Sequence, residues 1–316
     1  MGLNGLLTVA WVTAAVGPFI TALAARLLFR VRRPIAAIVL SGLVAAFWIL
    51  GVWAFIAEPA SLTVRHITVE SDRWSGPPLR IGIISDTHVA APHVNVERME
   101  RIVARMNQQR PDIVMLLGDY AGGSEPAERR ADPERSEILR GIEAFGGLQS
   151  PLGTYAVLGN HDSWFDDAAI SQALARAGVR LLENDSVEVA RPTGAFWVGG
   201  VADMDSRRMA ASAPLTVAPV PDEAPLIVMT HWPDPFEQVP SRVALTLAGH
   251  THCGQVNLPV LGRLIHASRG ARRWACGLYD EGGRKLFVTG GVGVSILPVR
   301  FRAPPEIVLL TLKAPG

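Results

Sequence analysis

Short polar clusters that follow apolar runs hold the residues of this 316-residue chain best suited to chemistry. Asp86-Thr87-His88 follows one run, Gly118-Asp119-Tyr120 a second, and Gly159-Asn160-His161-Asp162 a third. His231 follows a fourth and Gly249-His250-Thr251-His252 a fifth. Carboxylate, imidazole and amide oxygen without thiolate are the donors of a hard-to-borderline divalent cation such as Mn, Fe or Zn. More candidates are present than one ion needs, so the set suits two. Each cluster alone has a bland reading, since an Asp after a strand caps helices and an Asn-His pair makes turns. The functional reading rests on all five occurring in series, each behind an apolar run. His66 and His266 stand outside such a context and read as structural.

These clusters converge only if the runs before them are strands whose ends lie along one edge of a sheet. Arg80 to Ser85, Asp112 to Leu117, Thr154 to Leu158, Leu226 to Thr230 and Val243 to Ala248 have the length and apolar content of buried strands. Between the first two, Val96, Met99, Ile102, Val103 and Met106 repeat at a helical period. Strand, loop and helix in alternation predict an α/β domain over residues 80–316. Gly118, Gly159 and Gly249 directly precede ligand candidates, where the backbone must approach closely or take positive φ. The Ser-Gly-Pro-rich stretch around Ser75 reads as part of a linker over 61–79, and Ser124 to Glu137 as a solvated insertion.

Composition narrows the setting. Half the chain is hydrophobic, at 49%, which excludes general disorder, and 30 basic against 29 acidic residues leave no field that would draw nucleic acid. The mean hydropathy of +0.24 is high for a soluble enzyme. Two stretches account for it: Leu6 to Phe29, charged only at Arg26, and Ile35 to Ala57, uncharged. Both are long enough to span a bilayer, and the turn Arg30-Val31-Arg32-Arg33-Pro34 makes residues 1–60 a transmembrane helical hairpin. A cleaved signal peptide would need a basic start and a shorter apolar run. The arginines cluster at the turn, so the positive-inside rule puts the turn in the cytoplasm and the rest on the exoplasmic side, periplasmic in a bacterium, with the protein multi-pass in the cell membrane.

In order, Asp-x-His, Gly-Asp-Tyr, Gly-Asn-His-Asp, His and Gly-His-Thr-His resemble the signature of the calcineurin-like metallophosphoesterase superfamily. Gly290-Gly291-Val292-Gly293, Pro298-Val299-Arg300-Phe301 and Pro305-Glu306-Ile307 are similar to a bacterial membrane-associated branch with envelope phosphodiesterases and UDP-2,3-diacylglucosamine pyrophosphohydrolases. The resemblance implies two mixed sheets packed face to face and flanked by helices, with a dinuclear metal centre. Position by position, it implies one metal on Asp86, His88 and His252, another on Asn160, His231 and His250, and Asp119 bridging. His161 would stand beside the metals as the acid that protonates the leaving oxygen, with Asp162 orienting it. The family commonly has glycine where this chain has Cys253. That thiol either packs as a small residue, which is the expectation, pairs with Cys276, or coordinates or oxidises near the metals.

Arg269, Arg272 and Arg273 before Trp274, and Arg300 and Arg302 around Phe301, are candidates to hold a charged substrate, the alternative being a solvated surface. The mixed stretch Ile296 to Arg302 also suits contact with anionic lipid. The expected activity is hydrolysis of a phosphodiester or pyrophosphate bond in an envelope or lipid-linked substrate by metal-activated water, with two divalent ions, Mn before Fe or Zn. A nucleotide-sugar lipid precursor would lie on the cytoplasmic side, in conflict with the exoplasmic domain. The alternatives are a phosphomonoesterase or phosphoprotein phosphatase, and a non-catalytic metal-binding membrane scaffold. The expected partners are the lipid bilayer and the substrate, not nucleic acid; oligomeric state is open.

Overall fold

Period-two alternation within the apolar runs decides which residues face which layer. The computed structural model describes residues 3–90, 93–206, 208–263 and 266–316, with the backbone alone at 3–11 and 13. One sheet contains β1 (Thr63–Glu70), β2 (Leu79–Ile84), β3 (Ile113–Leu116), β4 (Thr154–Ala156), β5 (Arg180–Leu181) and β14 (Glu306–Lys313), in the order β1-β14-β2-β3-β4-β5. A second contains β6 (Asp185–Val189), β7 (Phe196–Gly200), β8 (Leu226–Met229), β9 (Leu245–Ala248), β12 (Gly277–Glu281) and β13 (Arg284–Val288), in the order β12-β13-β9-β8-β7-β6. β10 (Asn257–Leu258) and β11 (Gly262–Arg263) form a small hairpin. Both large sheets are mixed: β2, β3 and β4 run parallel while β14 is antiparallel to β2, and β7, β8 and β9 run parallel while β6 and β12 pair antiparallel.

Ile81, Ile83, Ile113, Met115, Ile227, Met229, Leu245, Leu247, Val308 and Leu310 form the core between the sheets. Their neighbours Ile84, Val114 and Leu116 face outward and are covered by α4 (Val96–Asn107), α5 (Asp132–Glu143) and α7 (Asp167–Arg176). Leu226, Val228, Ala248, Leu286 and Val288 face out on the other side, under α8 (Ala213–Val217), Phe236, Val239 and Trp274, the last just after α9 (Arg269–Arg273). Burial on both faces explains why the central strands read as continuous apolar runs. The predicted helix is α4, capped by Asn95, whose side chain accepts from the Arg98 N–H.

Three expectations change. The five clusters follow strands of two sheets, not one. The stretch 61–79 is not merely a linker, because β1 pairs in parallel along the whole of β14. Ser124 to Glu137 is largely exposed, as expected, but not all of it is a solvated insertion: Ala127 is buried, and α5 begins at Asp132 and buries Ile138 and Ile142 just beyond the stretch against α4 and α7. The alternation of Arg and Glu hid that apolar face.

At the N-terminus, α1 (Leu3–Arg30) and α2 (Pro34–Val52) fold back on each other, and the Trp48 indole donates to the Ala14 carbonyl at 2.7 Å. A π turn over Trp53–Ala57 continues α2 into α3 (Glu58–Ala60). Among the described residues, Pro34–Ala60 is one helix long and apolar enough to cross a membrane, with a hydropathy of 2.5 in its most apolar window. Most of its large apolar side chains, Phe47 and Ile35 among them, are exposed, while Ala37 is buried. The first expected span, Leu6 to Phe29, lies partly on side chains outside the described residues.

Candidate metal centre

All the cluster residues sit where strands of the two sheets end, and the backbone there is bent sharply. Asp86, His88, Asp119, His250 and His252 all have positive φ, between 44° and 66°. Such conformations cost of order 1–3 kcal/mol each and persist only where packing over-determines them. Packing does so here: Gly118 turns at φ 89°, and a Cβ on it would lie 2.6 Å from the Gly159 nitrogen. A Cβ on Gly159 would strike the Asp119 carboxylate. The loops after β3 and β4 therefore pass each other at backbone distance.

Three overlapping groups of donors result. The first is Asp86, His88 and His252, the second is Asp119, His231 and His250, and the third, His88, Asp119 and His161, links them; within each, the donor atoms lie within 4.8 Å of one another. His88 Nε2 is 3.0 Å from His252 Nε2, and His252 Nε2 is 3.4 Å from Asp86 Oδ1. Asp119 Oδ2 joins the groups, 3.6 Å from His88 Nε2 and 3.2 Å from His231 Nε2. His250 Nδ1 lies 3.2 Å from His231 Nε2, while His231 Nδ1 donates to the Leu117 carbonyl at 2.7 Å, which leaves Nε2 free as a ligand. Asn160 is buried, and its Oδ1 has no hydrogen-bond partner. An orphaned buried carbonyl oxygen, converging imidazole nitrogens and the absence of thiolate from the set fit a pair of divalent cations.

The electrostatics differ from donor to donor. Burial pushes the His88 and His250 imidazoles down to about 3, keeping their lone pairs available. At His231 burial opposes the charge, but the Asp119 carboxylate beside it raises the imidazole to about 10, so a cation binding there must displace the Nε2 proton. Burial likewise works against an ionised Asp119, yet His231 and His161 hold it well below the ordinary carboxylate range.

His161 is the outer member of the third group, its ring 4.5 Å from that of His88 and 4.6 Å from Trp164. Its backbone N–H donates to Asp119 Oδ1 at 2.8 Å; its Nδ1 is 2.7 Å from the Gly123 carbonyl, and its Nε2 is 3.3 Å from Ser295 Oγ. Asp162 does not orient it, contrary to expectation. Asp162 instead accepts from the Tyr120 and Ala121 N–H groups at 2.8 and 3.0 Å and from Gly159 N–H at 3.0 Å, clamping the loops after β3 and β4. One residue from an imidazole in sequence, on a helical turn, the carboxylate points elsewhere; that is the first turn of α6 (Asn160–Phe165).

The expected substrate arginines fare differently. Arg269 and Arg272 are exposed on α9, and Arg273 pairs with Glu281 at 2.7 Å and lies over Trp274. Among the described residues neither Arg269 nor Arg272 makes an ion pair. Arg300 is 0% exposed, so it contacts no lipid and no solvent-borne substrate. Its guanidinium donates to the carbonyls of Gly290, Gly291, Gly293 and Ala303, and Nη2 lies 3.2 Å from His252 Nδ1. Four carbonyls drawn to one point by glycine turns make a cage for a planar cation, which a run of mixed residues does not reveal. Cys253 is not a free packed thiol but is joined to Cys276 by a disulfide. Sequence reading also missed Asp203, which is buried, accepts from the Trp232 indole at 2.8 Å and from Ser163 Oγ at 2.9 Å, and so holds Trp232 against His250, ring centroids 3.7 Å apart. Its position just after the apolar run of β7 was the available signal.

The profile of one family, described as calcineurin-like phosphoesterase, matches residues 79–254, a span containing every ligand candidate. A transmembrane protein with metallophosphoesterase domain from Danio rerio is 27% identical over 296 residues, covering 89% of this chain and 63% of that protein. An uncharacterized metallophosphoesterase of Aquifex aeolicus is 27% identical over 276 residues, covering 85% and 98%. The phosphodiesterase YaeI of Escherichia coli is 29% identical over 245 residues, covering 74% and 82%. This chain therefore spans under two thirds of the fish relative but nearly all of the Aquifex one.

Proposed function

Because this chain belongs to the calcineurin-like phosphoesterase family, a family of metal-dependent phosphoric ester hydrolases, we propose that it is a membrane-anchored dinuclear enzyme cleaving a phosphodiester or pyrophosphate bond. The observation that carries the reading is the junction of two buried donor groups at Asp119. Asp86, His88, His252 and Asp119 would hold one divalent cation, and Asp119, Asn160, His231 and His250 the other, Mn before Fe or Zn. When bound, the pair supplies charge neutralisation at the phosphoryl group and acidifies the attacking water.

The protein's own groups do the rest. The Gly123 carbonyl accepts the Nδ1 proton of His161, so Nε2 is the atom that passes a proton to the leaving oxygen. The His161 backbone N–H fixes one oxygen of Asp119, leaving Oδ2 for the cations. Trp164 and Trp232 wall the site against bulk water, which strengthens every charge interaction within it.

The substrate is lipid-linked or part of the envelope, since α2 keeps the site at a membrane surface. Both N-terminal helices span the bilayer in this reading, and the arginine-rich turn between them is cytoplasmic. The Cys253–Cys276 disulfide supports an exoplasmic site, because such bonds persist mainly in oxidising compartments.

Hydrolysis of a model phosphodiester and its matched monoester by the full chain in detergent with Mn²⁺, beside Asp119→Ala, tests the proposal. Faster diester cleavage that the variant loses supports it. Monoester preference replaces it with a phosphatase, and no hydrolysis by folded protein with any of Mn²⁺, Fe²⁺ or Zn²⁺ replaces it with a metal-binding scaffold.

A further inference from the structure

The end of α2 is stitched into the catalytic domain. The Arg300 N–H donates to the Ala54 carbonyl at 2.9 Å, and the Ala303 N–H donates to Glu58 Oε1 at 2.7 Å. Glu58 is buried, and its other oxygen accepts from the Trp53 indole at 2.7 Å. From α4, Arg98 donates to the carbonyls of Pro59 and Ser61 at 2.7 and 3.0 Å. The loop around Arg300 thus meets the helix at Ala54, inside its apolar run and about 6 Å below Glu58 at the helical rise. A bilayer crossed by this helix reaches the level of that loop.

A second loop lies beside the first. The Gln255 side-chain amide donates to the carbonyls of Ser295 and Leu297 at 3.1 and 2.9 Å and accepts from the Ser295 N–H at 2.8 Å. Asn257 N–H donates to the Phe301 carbonyl, and Phe301 N–H to that of Gln255, at 2.8 and 2.9 Å. The turns of these joined loops carry apolar side chains in the open: Val260 is fully exposed, Leu261 68%, Ile296 74% and Leu297 38%. Val260 and Ile296 moreover have φ of 69° and 58°, a region that β-branched residues almost never take. Exposed Arg302 follows the second turn in the chain, and half-exposed Trp53 immediately precedes Ala54, whose carbonyl the Arg300 N–H reaches. Ser295, adjacent to Ile296, is the residue that reaches His161.

We propose that the turns Pro259–Leu261 and Ser295–Leu297 form an apolar lip that seats in the bilayer boundary beside α2. The metal centre then opens at headgroup level, and the substrate is an amphiphile whose apolar part stays in the lipid while its phosphoester enters. The occupant of this surface is the membrane because the lip is continuous, through Arg300 and Ala54, with the helix that enters it. Aliphatic turns flanked by tryptophan and arginine are the composition of an interfacial contact. The proposal rests on the membrane-anchored reading, and its test separates the two.

The full chain is reconstituted in vesicles of phosphatidylcholine and phosphatidylglycerol with Leu261→Cys, labelled by a fluorophore; the paired cysteines leave this thiol free to react. Spin-labelled lipid with its nitroxide near the headgroup is expected to quench the label at 261 and not one at Glu223→Cys, which lies just before β8, at the end of the strand away from the metal centre. No quenching at 261 in protein that resists an alkaline carbonate wash overturns the lip and leaves the anchor standing. Release by the wash overturns the anchor, and the lip with it. In parallel, Leu261→Asp combined with Ile296→Asp is expected to lower the ratio of vesicle-embedded to water-soluble diester turnover by about tenfold or more, the factor that lost burial of two aliphatic side chains implies. An unchanged ratio overturns the proposal.

Discussion

His161 occupies a position that a ligand and a proton donor would fill differently. Its ring shares a donor group with His88 and Asp119, as a ligand's would, but its Nδ1 is committed to the Gly123 carbonyl and its Nε2 lies beside Ser295 Oγ, which suits the proton donor. His161→Gln is therefore expected to lower kcat by about 10²- to 10⁴-fold with bound metal unchanged, measured by turnover beside elemental analysis. Asp203 acts through Trp232 on His250 without touching a donor atom of the centre. Asp203→Ala should weaken metal affinity or activity by about 10- to 100-fold, and a metal titration of the variant checks it. The motifs made the ligands legible because each follows an apolar run in a recognisable order, and Asp119, Asn160 and His250 directly follow a glycine. Asp203 and Arg300 were not legible as supports, because their work depends on partners that only folding brings near.

At the scale of elements, the loop after β9 carries two ligand histidines and then Cys253, which the disulfide ties to the segment before β12. The bridge spans a sequence separation of 23 residues, so opening it should cost about 3 kcal/mol by restoring freedom to the unfolded chain. A Cys253→Ala, Cys276→Ala variant is expected to melt lower than the parent, and reductant should lower the parent's Tm but not the variant's. The strands before the clusters were readable from their uninterrupted apolar content. β1 was not, since alternating exposure along Thr63–Glu70 makes an edge strand resemble a polar connector until β14 is there to pair with it.

For the whole molecule, buried donors from two sheets meet at one place, so cations bound there tie the sheets together. Adding Mn²⁺ to metal-free protein is expected to stabilise it by about 2.7 kcal/mol at a hundredfold excess over Kd, seen as a rise in Tm that chelator reverses and Asp119→Ala abolishes. The same organisation explains why the donor loops tolerate strained backbone: the core between the sheets holds the strands on either side of them.

The order of the motifs, the apolar runs before them and the apolar N-terminal stretches were determined by sequence, because ligand chemistry and burial each leave a local pattern of residue types. That the runs divide between two sheets, that Asp162 clamps backbone instead of orienting His161, that Arg300 is caged and that Cys253 pairs with Cys276 were decided by tertiary structure. Each of these depends on the direction of a side chain or on a contact between distant segments. Local residue type leaves such matters open until packing selects one arrangement.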